Sequence, residues 1–164
     1  MKDYTDRTIV EAILDWLATQ FAAKTPTLYP EHGFRWFGKS GLETASRQPG
    51  HHRVFSAYYS DRVSPLEDAS WNQPKLIERQ ITVACIGRVP GHDFVLASKI
   101  AASDQDDLIE TIFSNPTSDW PNASNGQMVF IDSDGGEMVM QELENEAGYM
   151  WTMGLVVRYT RNRS

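Results

Sequence analysis

The clearest chemical pattern in the sequence is Gly33 to Ser40, which reads G-F-R-W-F-G-K-S and satisfies the spacing of a phosphate-binding loop. In that motif, backbone N–H groups cradle the phosphates, Lys39 would reach them and the final Ser40 hydroxyl would hold Mg²⁺. Asp132, at the end of a short apolar run, could supply a second magnesium ligand. The surroundings oppose this interpretation, because prolines interrupt the preceding segment and bulky aromatic side chains fill the loop. A small nucleotide-binding enzyme remains the alternative from another functional class.

The other patterns for metal binding and nucleophilic catalysis are weaker. Asp132-x-Asp134-Gly-Gly-Glu137 begins like a calcium loop, but the position of the bidentate glutamate holds Leu143. We expect a tight hairpin turn at the two glycines instead. The four histidines lack the helical i, i+4 spacing of a zinc site, and Cys85, the single cysteine, lies in an apolar strand pattern typical of a buried thiol. The sequence therefore predicts no catalytic residue, metal or cofactor.

Charge is distributed unevenly along the 164 residues, which carry a formal net charge of −7. No lysine or arginine occurs between Lys99 and Arg158. Binding to nucleic acid depends largely on lysine and arginine neutralising phosphates, so a surface built from this half would repel DNA or RNA. A plain solvated acidic face is the simpler interpretation of the charge alone. Eleven acids fill the stretch: Asp104, Asp106, Asp107, Glu110, Asp119, Asp132, Asp134, Glu137, Glu142, Glu144 and Glu146.

A segment at about residues 33–74 holds more aromatic side chains than a solvated loop requires. Stacking on bases is one possible use, but the neighbouring basic charge is scattered, so packing beneath the loop or against another subunit is the better interpretation. The candidate interface residues are Phe34, Trp36, Phe37, Tyr58, Tyr59 and Trp71.

The elements that must position these residues follow from hydrophobic periodicity. Helical spacing predicts a helix from Thr8 to Ala23 with a Thr8…Glu11 capping box, and Ser103 or Asp104 is expected to cap a second helix ending near Ser114. The segment Phe94–Ala102 fits a strand or a helix equally well. Strands are predicted at Arg53–Ser60, Lys75–Arg88, Met128–Asp132 and Trp151–Tyr159, with a strand or a short helix at Glu137–Leu143.

This order of elements predicts a single α+β domain over residues 1–164. We expect a mixed, mostly antiparallel sheet packed against helices on one face, with a long irregular loop or insertion at about 33–74. The sequence shows no signal peptide and no apolar run long enough to span a bilayer, which favours synthesis in the cytosol without membrane contact.

Four segments, in this order along the chain, resemble the tail terminator family of long-tailed phages. They are the helix Ile9–Leu17, the strand Gln80–Arg88, the acidic helix Asp106–Ile112 and the closing strand Met153–Arg161. The segment at 33–74 is longer and more aromatic than the family pattern. The resemblance implies a homohexameric ring that caps the tail tube and joins it to the head, located in the virion at the head-proximal end of the tail.

The resemblance carries over no catalytic residue. It implies three protein partners: other copies of the chain, the tail tube protein and a head completion or neck protein, while DNA passes through without specific binding. An acidic wall facing the channel would suit that passage, and the candidate channel-facing residues are Asp132, Asp134, Glu137, Glu142, Glu144 and Glu146. Another head–tail joining or neck protein with the same core is the alternative within the structural class.

Overall fold

The computed structural model describes residues 6–39, 53–65, 75–114 and 129–161. These residues form two helices and five strands, and they confirm the predicted α+β class. In chain order the elements are α1 (Asp6–Ala23), β1 (Arg35–Gly38), β2 (Arg53–Pro65), β3 (Lys75–Pro90), α2 (Phe94–Phe113), β4 (Val129–Leu143) and β5 (Glu146–Arg161). No helix among the described residues is both long enough and apolar enough to cross a bilayer.

The five strands form one open, mixed sheet in the order β1-β2-β3-β5-β4. β1 runs parallel to β2, whereas β2, β3, β5 and β4 pair antiparallel with their neighbours. The strand predicted at Lys75–Arg88 is therefore the central one. The long β3–β5 ladder extends from Lys75 opposite Arg161 to Pro90 opposite Glu146. These two paired strands form the central part of the sheet.

One face of the sheet carries the core. Alternate residues of β2, β3 and β5 lie side by side on it, as Phe55 lies opposite Cys85 and Cys85 opposite Trp151. Side chains of both helices join the same buried cluster, including Phe21 of α1 and Ile100 of α2. The sequence pattern predicted both the buried alternation of β5 and the burial of Cys85, and both are confirmed.

The segment after α1 is tied to α2 by side-chain contacts. The Thr27 backbone N–H donates to Asp107 Oδ2 at 2.9 Å and its hydroxyl donates to Oδ1 at 2.6 Å. Lys24 forms an ion pair with Glu110 at 3.1 Å. Asp107 is buried, and its carboxylate holds this segment in place.

The predicted start of α2 at Ser103 or Asp104 is wrong by about ten residues. The helix begins at Phe94, and the N-cap is Asp93, whose side chain accepts from the Leu96 backbone N–H at 3.0 Å. Apolar residues at helical spacing continue the stripe upstream of Ser103, so no cap is needed there. The ambiguous segment Phe94–Ala102 is therefore helical.

The predicted tight turn at Asp134-Gly135-Gly136 is also wrong. β4 continues through it with a register shift between Ser133 and Gly136, and Gly135 has φ +87°. A β-bulge accommodates the glycines without ending the strand. The chain instead reverses at Glu144–Asn145, where Asn145 adopts φ +59°, a conformation that asparagine tolerates better than most residues. Glu137–Leu143 is consequently strand, and a single hairpin joins β4 to β5.

Two further expectations about the N-terminal half need correction. α1 begins at Asp6, so Thr8 lies inside the helix and does not cap it. The segment predicted as a long irregular loop at about 33–74 contains β1 and the whole of β2, which extends beyond the strand expected at Arg53–Ser60. Residues 40–52 and 66–74 lie outside the described part of the chain.

A methyl group at Gly87 tests how tightly the core face is packed. A Cβ at this position would overlap the Tyr149 ring, its partner across the β3–β5 ladder. We expect Gly87→Ala to lower the free energy of unfolding by about 1–3 kcal/mol, because the ring must shift in a close-packed interior. Gly33→Ala is the matched control, since its Cβ would meet no atom within 4 Å. Chemical denaturation measures both, and equal effects would contradict this packing.

Candidate interaction surface

The predicted acidic residues lie on β4, one of the two edge strands and called the outer strand below, and at the hairpin that joins it to β5. Glu137 and Glu142 belong to β4, Glu144 lies in the turn and Glu146 begins β5. Asp132 and Asp134 belong to the same strand. The hairpin therefore gathers all six predicted residues along one edge of the sheet, although they lie on both sides of the strand.

Two of these acids have basic neighbours at the hairpin end. Glu142 Oε1 lies 3.8 Å from His92 Nδ1, and Glu146 Oε2 lies 3.9 Å from Arg88 Nη1. Both contacts are long and solvent-exposed, so they neutralise the carboxylates only weakly. Glu137 and Glu144 are exposed, and no ion pair reaches them from the residues that the structure describes.

The fold concentrates the stretch without lysine and arginine on one side of the molecule. Most of α2, the described part of β4 and most of β5 come from this stretch, and β5 and β4 are adjacent in the sheet. α2 packs against both strands and is fixed to them by Gln105, whose side-chain N–H donates to the carbonyls of Glu137 and Thr152 at 3.3 and 3.4 Å. Negative charge therefore dominates this side, and it would repel a polyanion.

The opposite face of the sheet carries a smaller apolar group. Val54 and Ala84 are buried there, and Phe37 and Ile86 pack against them. Farther along the same face, Tyr58, Val139 and Met150 are more than one-third exposed. Among the described residues, this face presents apolar side chains beside the acidic hairpin.

The structure separates the six aromatic interface candidates. Phe34 is buried in the core and stacks on Phe21 with ring centroids 4.0 Å apart. Trp36 and Tyr59 are partly buried against the same core. These three side chains mainly stabilise the chain itself, whereas Phe37 and the exposed Tyr58, the other two candidates that the structure describes, lie on the opposite face. Trp71 lies outside the described residues.

The residues matching a phosphate-binding loop have a different local structure. Positions 35–38 form β1, an extended segment beside β2, instead of a loop curled around an anion. Lys39 pairs with Glu11 and lies 2.9 Å from Asp15, both on α1. The hydrogen bonds that Lys39 donates to the carboxylates of Glu11 and Asp15 raise the pKa of Lys39, and the charges of these carboxylates oppose the approach of a phosphate. Ser40 lies outside the described residues.

The described residues contain no cluster of three or more histidine, cysteine, aspartate or glutamate side chains placed to hold a metal ion. Burial raises the pKa of the Cys85 thiol well above its usual value, and the side chain is fully enclosed. A thiol in this environment is a poor nucleophile because the thiolate does not form readily.

A charged cluster lies inside the core. Asp104 Oδ2 lies 3.1 Å from Arg53 Nε, and both side chains are almost fully buried. The same oxygen accepts from the Tyr149 hydroxyl and the Trp151 indole N–H, each at 3.4 Å. Oδ1 of Asp104 has no hydrogen-bond partner among the described residues. Arg53 also donates to backbone carbonyls of the segment after α1, so the cluster joins α2, β2 and β5 to that segment.

This cluster was not predicted, although the sequence contains a signal for it. Asp104 continues the apolar helical stripe of Ile100 and Ala101 towards Leu108, and a charge on such a stripe indicates a buried ion pair. Placing the helix start at Ser103 or Asp104 hid this pattern. Arg53 and Phe55 are two residues apart in β2, so their side chains point to the same face of the strand. This spacing places Arg53 on the core face.

No protein-family model matches the chain, and no curated protein matches it.

The buried aspartate predicts a specific pH dependence of stability. Burial raises the pKa of Asp104 from 3.8 to about 7, although the charge of Arg53 and the Trp151 hydrogen bond oppose the rise. Because the folded state then holds this proton more tightly than the unfolded state, its contribution to stability is full below about pH 4 and is lost as the pH rises through 7. Asp104→Asn removes that contribution.

Urea unfolding between pH 4 and pH 8 measures this effect. We expect the difference in unfolding free energy between the original chain and Asp104→Asn to shrink as the pH rises towards 7. Asp106→Asn, an exposed carboxylate on the same helix, is the control and should leave the original pH profile nearly unchanged. If the effect of Asp104→Asn did not depend on pH, the conclusion that the folded state holds the Asp104 proton more tightly than the unfolded state would be wrong.

Proposed function

We propose that the chain is a structural protein of a phage tail, a tail terminator that assembles as a homohexameric ring on the end of the tail tube. The ring stops tube growth and forms the joining surface for a head completion or neck protein. Its place is the head-proximal end of the tail in the virion. The observation that carries the proposal is the concentration of acidic residues on β4 and its hairpin, where Glu137 and Glu144 have no basic partner among the described residues.

The acidic edge fits a channel for DNA. A wall facing the channel must not hold phosphates, and Glu137 and Glu144 present exposed carboxylates without a basic partner among the described residues. Arg88 also lies at the hairpin end, and its Nη1 is 3.9 Å from the Glu146 carboxylate oxygen Oε2. DNA could then slide past the edge without the salt-sensitive attachment that lysine and arginine produce.

The arrangement of the core is compatible with the resemblance in the sequence. The four segments that resemble the family lie in α1, β3, α2 and β5. Most of their buried apolar side chains belong to one core cluster, and Ala84 belongs to the smaller group on the opposite face. They therefore form the framework of the described part of the domain.

The proposed mechanism is geometric. One face of the ring matches the last ring of tube protein, and the other face does not repeat the surface to which tube protein adds, so polymerisation stops. Tyr58 and Phe37, on the face opposite the core, are the aromatic candidates best placed for contact with another protein. No bond is made or broken in this mechanism.

A tube-growth assay tests the proposal. The purified chain is added to polymerising tail tube protein of its own phage, and the tubes are examined by negative-stain electron microscopy. We expect a ring at one end of each tube and a shorter mean length as more of the chain is added, because capped ends no longer accept subunits.

Binding along the sides of the tubes, or unchanged lengths without end binding, would contradict the proposal. Binding to portal-side proteins in the absence of end binding would favour the alternative, another head–tail joining or neck protein. An equal amount of heat-unfolded chain serves as the control for nonspecific inhibition of tube growth.

A further inference from the structure

The two edges of the sheet differ greatly in length. β4 has 15 residues, and within the described part of the chain only β5 pairs with it. β1, at the other edge, has 4 residues and a register shift between Trp36 and Gly38. A long outer strand offers a row of backbone donors and acceptors to another strand, whereas a short, irregular strand offers few.

The middle of β4 is also apolar and exposed. Met138 and Val139, which point to opposite sides of the sheet, are 41% and 53% exposed, and Met150, the β5 partner of Val139, is 38% exposed. Apolar side chains on both sides of an outer strand would become buried if a second strand were added beside it. This stretch of β4 therefore has the properties of a pairing site for another strand.

We infer that two copies of the chain pair antiparallel through β4, across a twofold axis at Val139. Length favours a second β4 as the partner, because β1 of another copy would leave most of β4 unpaired. The same patch of both copies then forms the contact, as a twofold interface requires.

The sequence of β4 selects the register. Pairing about Val139 sets Met138 opposite Met140, Glu137 opposite Gln141 and Glu142 opposite Gly136. Within residues 136–142 no acid faces an acid, and the methionines meet across the junction. Asp134 falls opposite Glu144, but Glu144 lies in the turn, beyond the end of the paired strand.

Neighbouring registers are less favourable. Centring the axis on Met138 sets Asp134 opposite Glu142, and centring it on Met140 sets Glu142 opposite Met138. The first opposes like charges and the second places a carboxylate beside an apolar partner. Val139 is therefore the centre that the side chains favour.

This twofold contact is independent of the proposed ring. Copies in a cyclic hexamer meet through unlike surfaces, whereas the β4 contact joins identical ones. The inference concerns the free protein, in which pairing would cover the acidic outer strand before the chain meets a tube.

Disulfide trapping locates the axis. Val139→Cys and Gln141→Cys are prepared separately with Cys85→Ala, and each is oxidised mildly and analysed on non-reducing gels. Opposed residues of antiparallel strands have Cα atoms about 4.5–5.5 Å apart, within disulfide reach. We expect rapid covalent dimerisation of Val139→Cys alone, since two copies of residue 141 would lie roughly 13 Å apart in this register.

Light scattering then measures the assembly without a cross-link. We expect a mass of twice 18.6 kDa for the original chain. Val139→Lys should be a folded monomer, because two lysines would meet at the axis, and circular dichroism checks the fold. Val95→Lys, at an apolar position of α2 that is 67% exposed, is the matched control and should remain dimeric.

Three results would overturn the inference: a monomeric original chain at micromolar concentration, equal cross-linking at residues 139 and 141, or a dimeric Val139→Lys. A free hexamer without cross-linking at residue 139 would also overturn it, while leaving the tube-capping proposal intact. Conversely, a twofold dimer that fails to cap tubes would support this inference and contradict the proposed function.

Discussion

The guanidinium of Arg53 is enclosed by the protein and holds together parts of the chain that are distant in sequence. It forms the buried ion pair with Asp104 of α2 and donates to the carbonyls of Leu28, Tyr29 and His32 at 3.0, 3.2 and 2.6 Å. Above about pH 7, where Asp104 is ionised, removing one partner from such a pair typically costs about 3–5 kcal/mol, because the remaining charge stays buried. Together with the contacts of Thr27 and Lys24 to α2, the Arg53 cluster therefore fixes the relative positions of the segment after α1, the helix α2 and the central strands.

This constraint explains where the protein can interact with others. With the buried faces of α1 and α2 and aromatic side chains such as Phe34 packed in the core, two candidate surfaces for recognition remain among the described residues: the outer strand β4 and the face opposite the core. The first is acidic with an apolar centre, and the second carries Tyr58 and Met150. A protein that works by fitting against other proteins needs such surfaces on a fixed scaffold, which is why a structural role agrees with the fold.

The sequence predicted the elements whose periodicity is long and uninterrupted. The alternation in β3 and β5 and the stripe of α1 were recognisable because each buries one face continuously. Errors arose where a local signal competed with tertiary structure. Two glycines suggested a turn but form a bulge in β4, and Asp104 suggested a helix start, whereas it is the buried partner of Arg53.

The candidate site was predicted in part for the same reason. An absence of lysine and arginine is visible in the sequence, and pairing of β4 with β5 brings the acids to one edge, as an interaction surface requires. The aromatic residues could not be divided between core and surface. Phe34, directly before β1, packs in the core, whereas Phe37, within β1, lies on the opposite face, and this strand was not predicted. Successive side chains of a strand point to opposite faces, so the position of each residue in the strand determines which of them is buried.

Charge reversal on the capped tube tests most directly whether the acidic outer strand faces a DNA channel. Tube ends capped by Glu137→Lys/Glu144→Lys are compared with ends capped by Glu31→Lys/Asp106→Lys, a pair of exposed acids outside the hairpin, and retention of duplex DNA is measured against salt concentration. We expect salt-sensitive retention of duplex DNA by the first variant alone, because lysines in the channel would bind phosphates. Equal retention by both variants, or retention by the original chain, would contradict it.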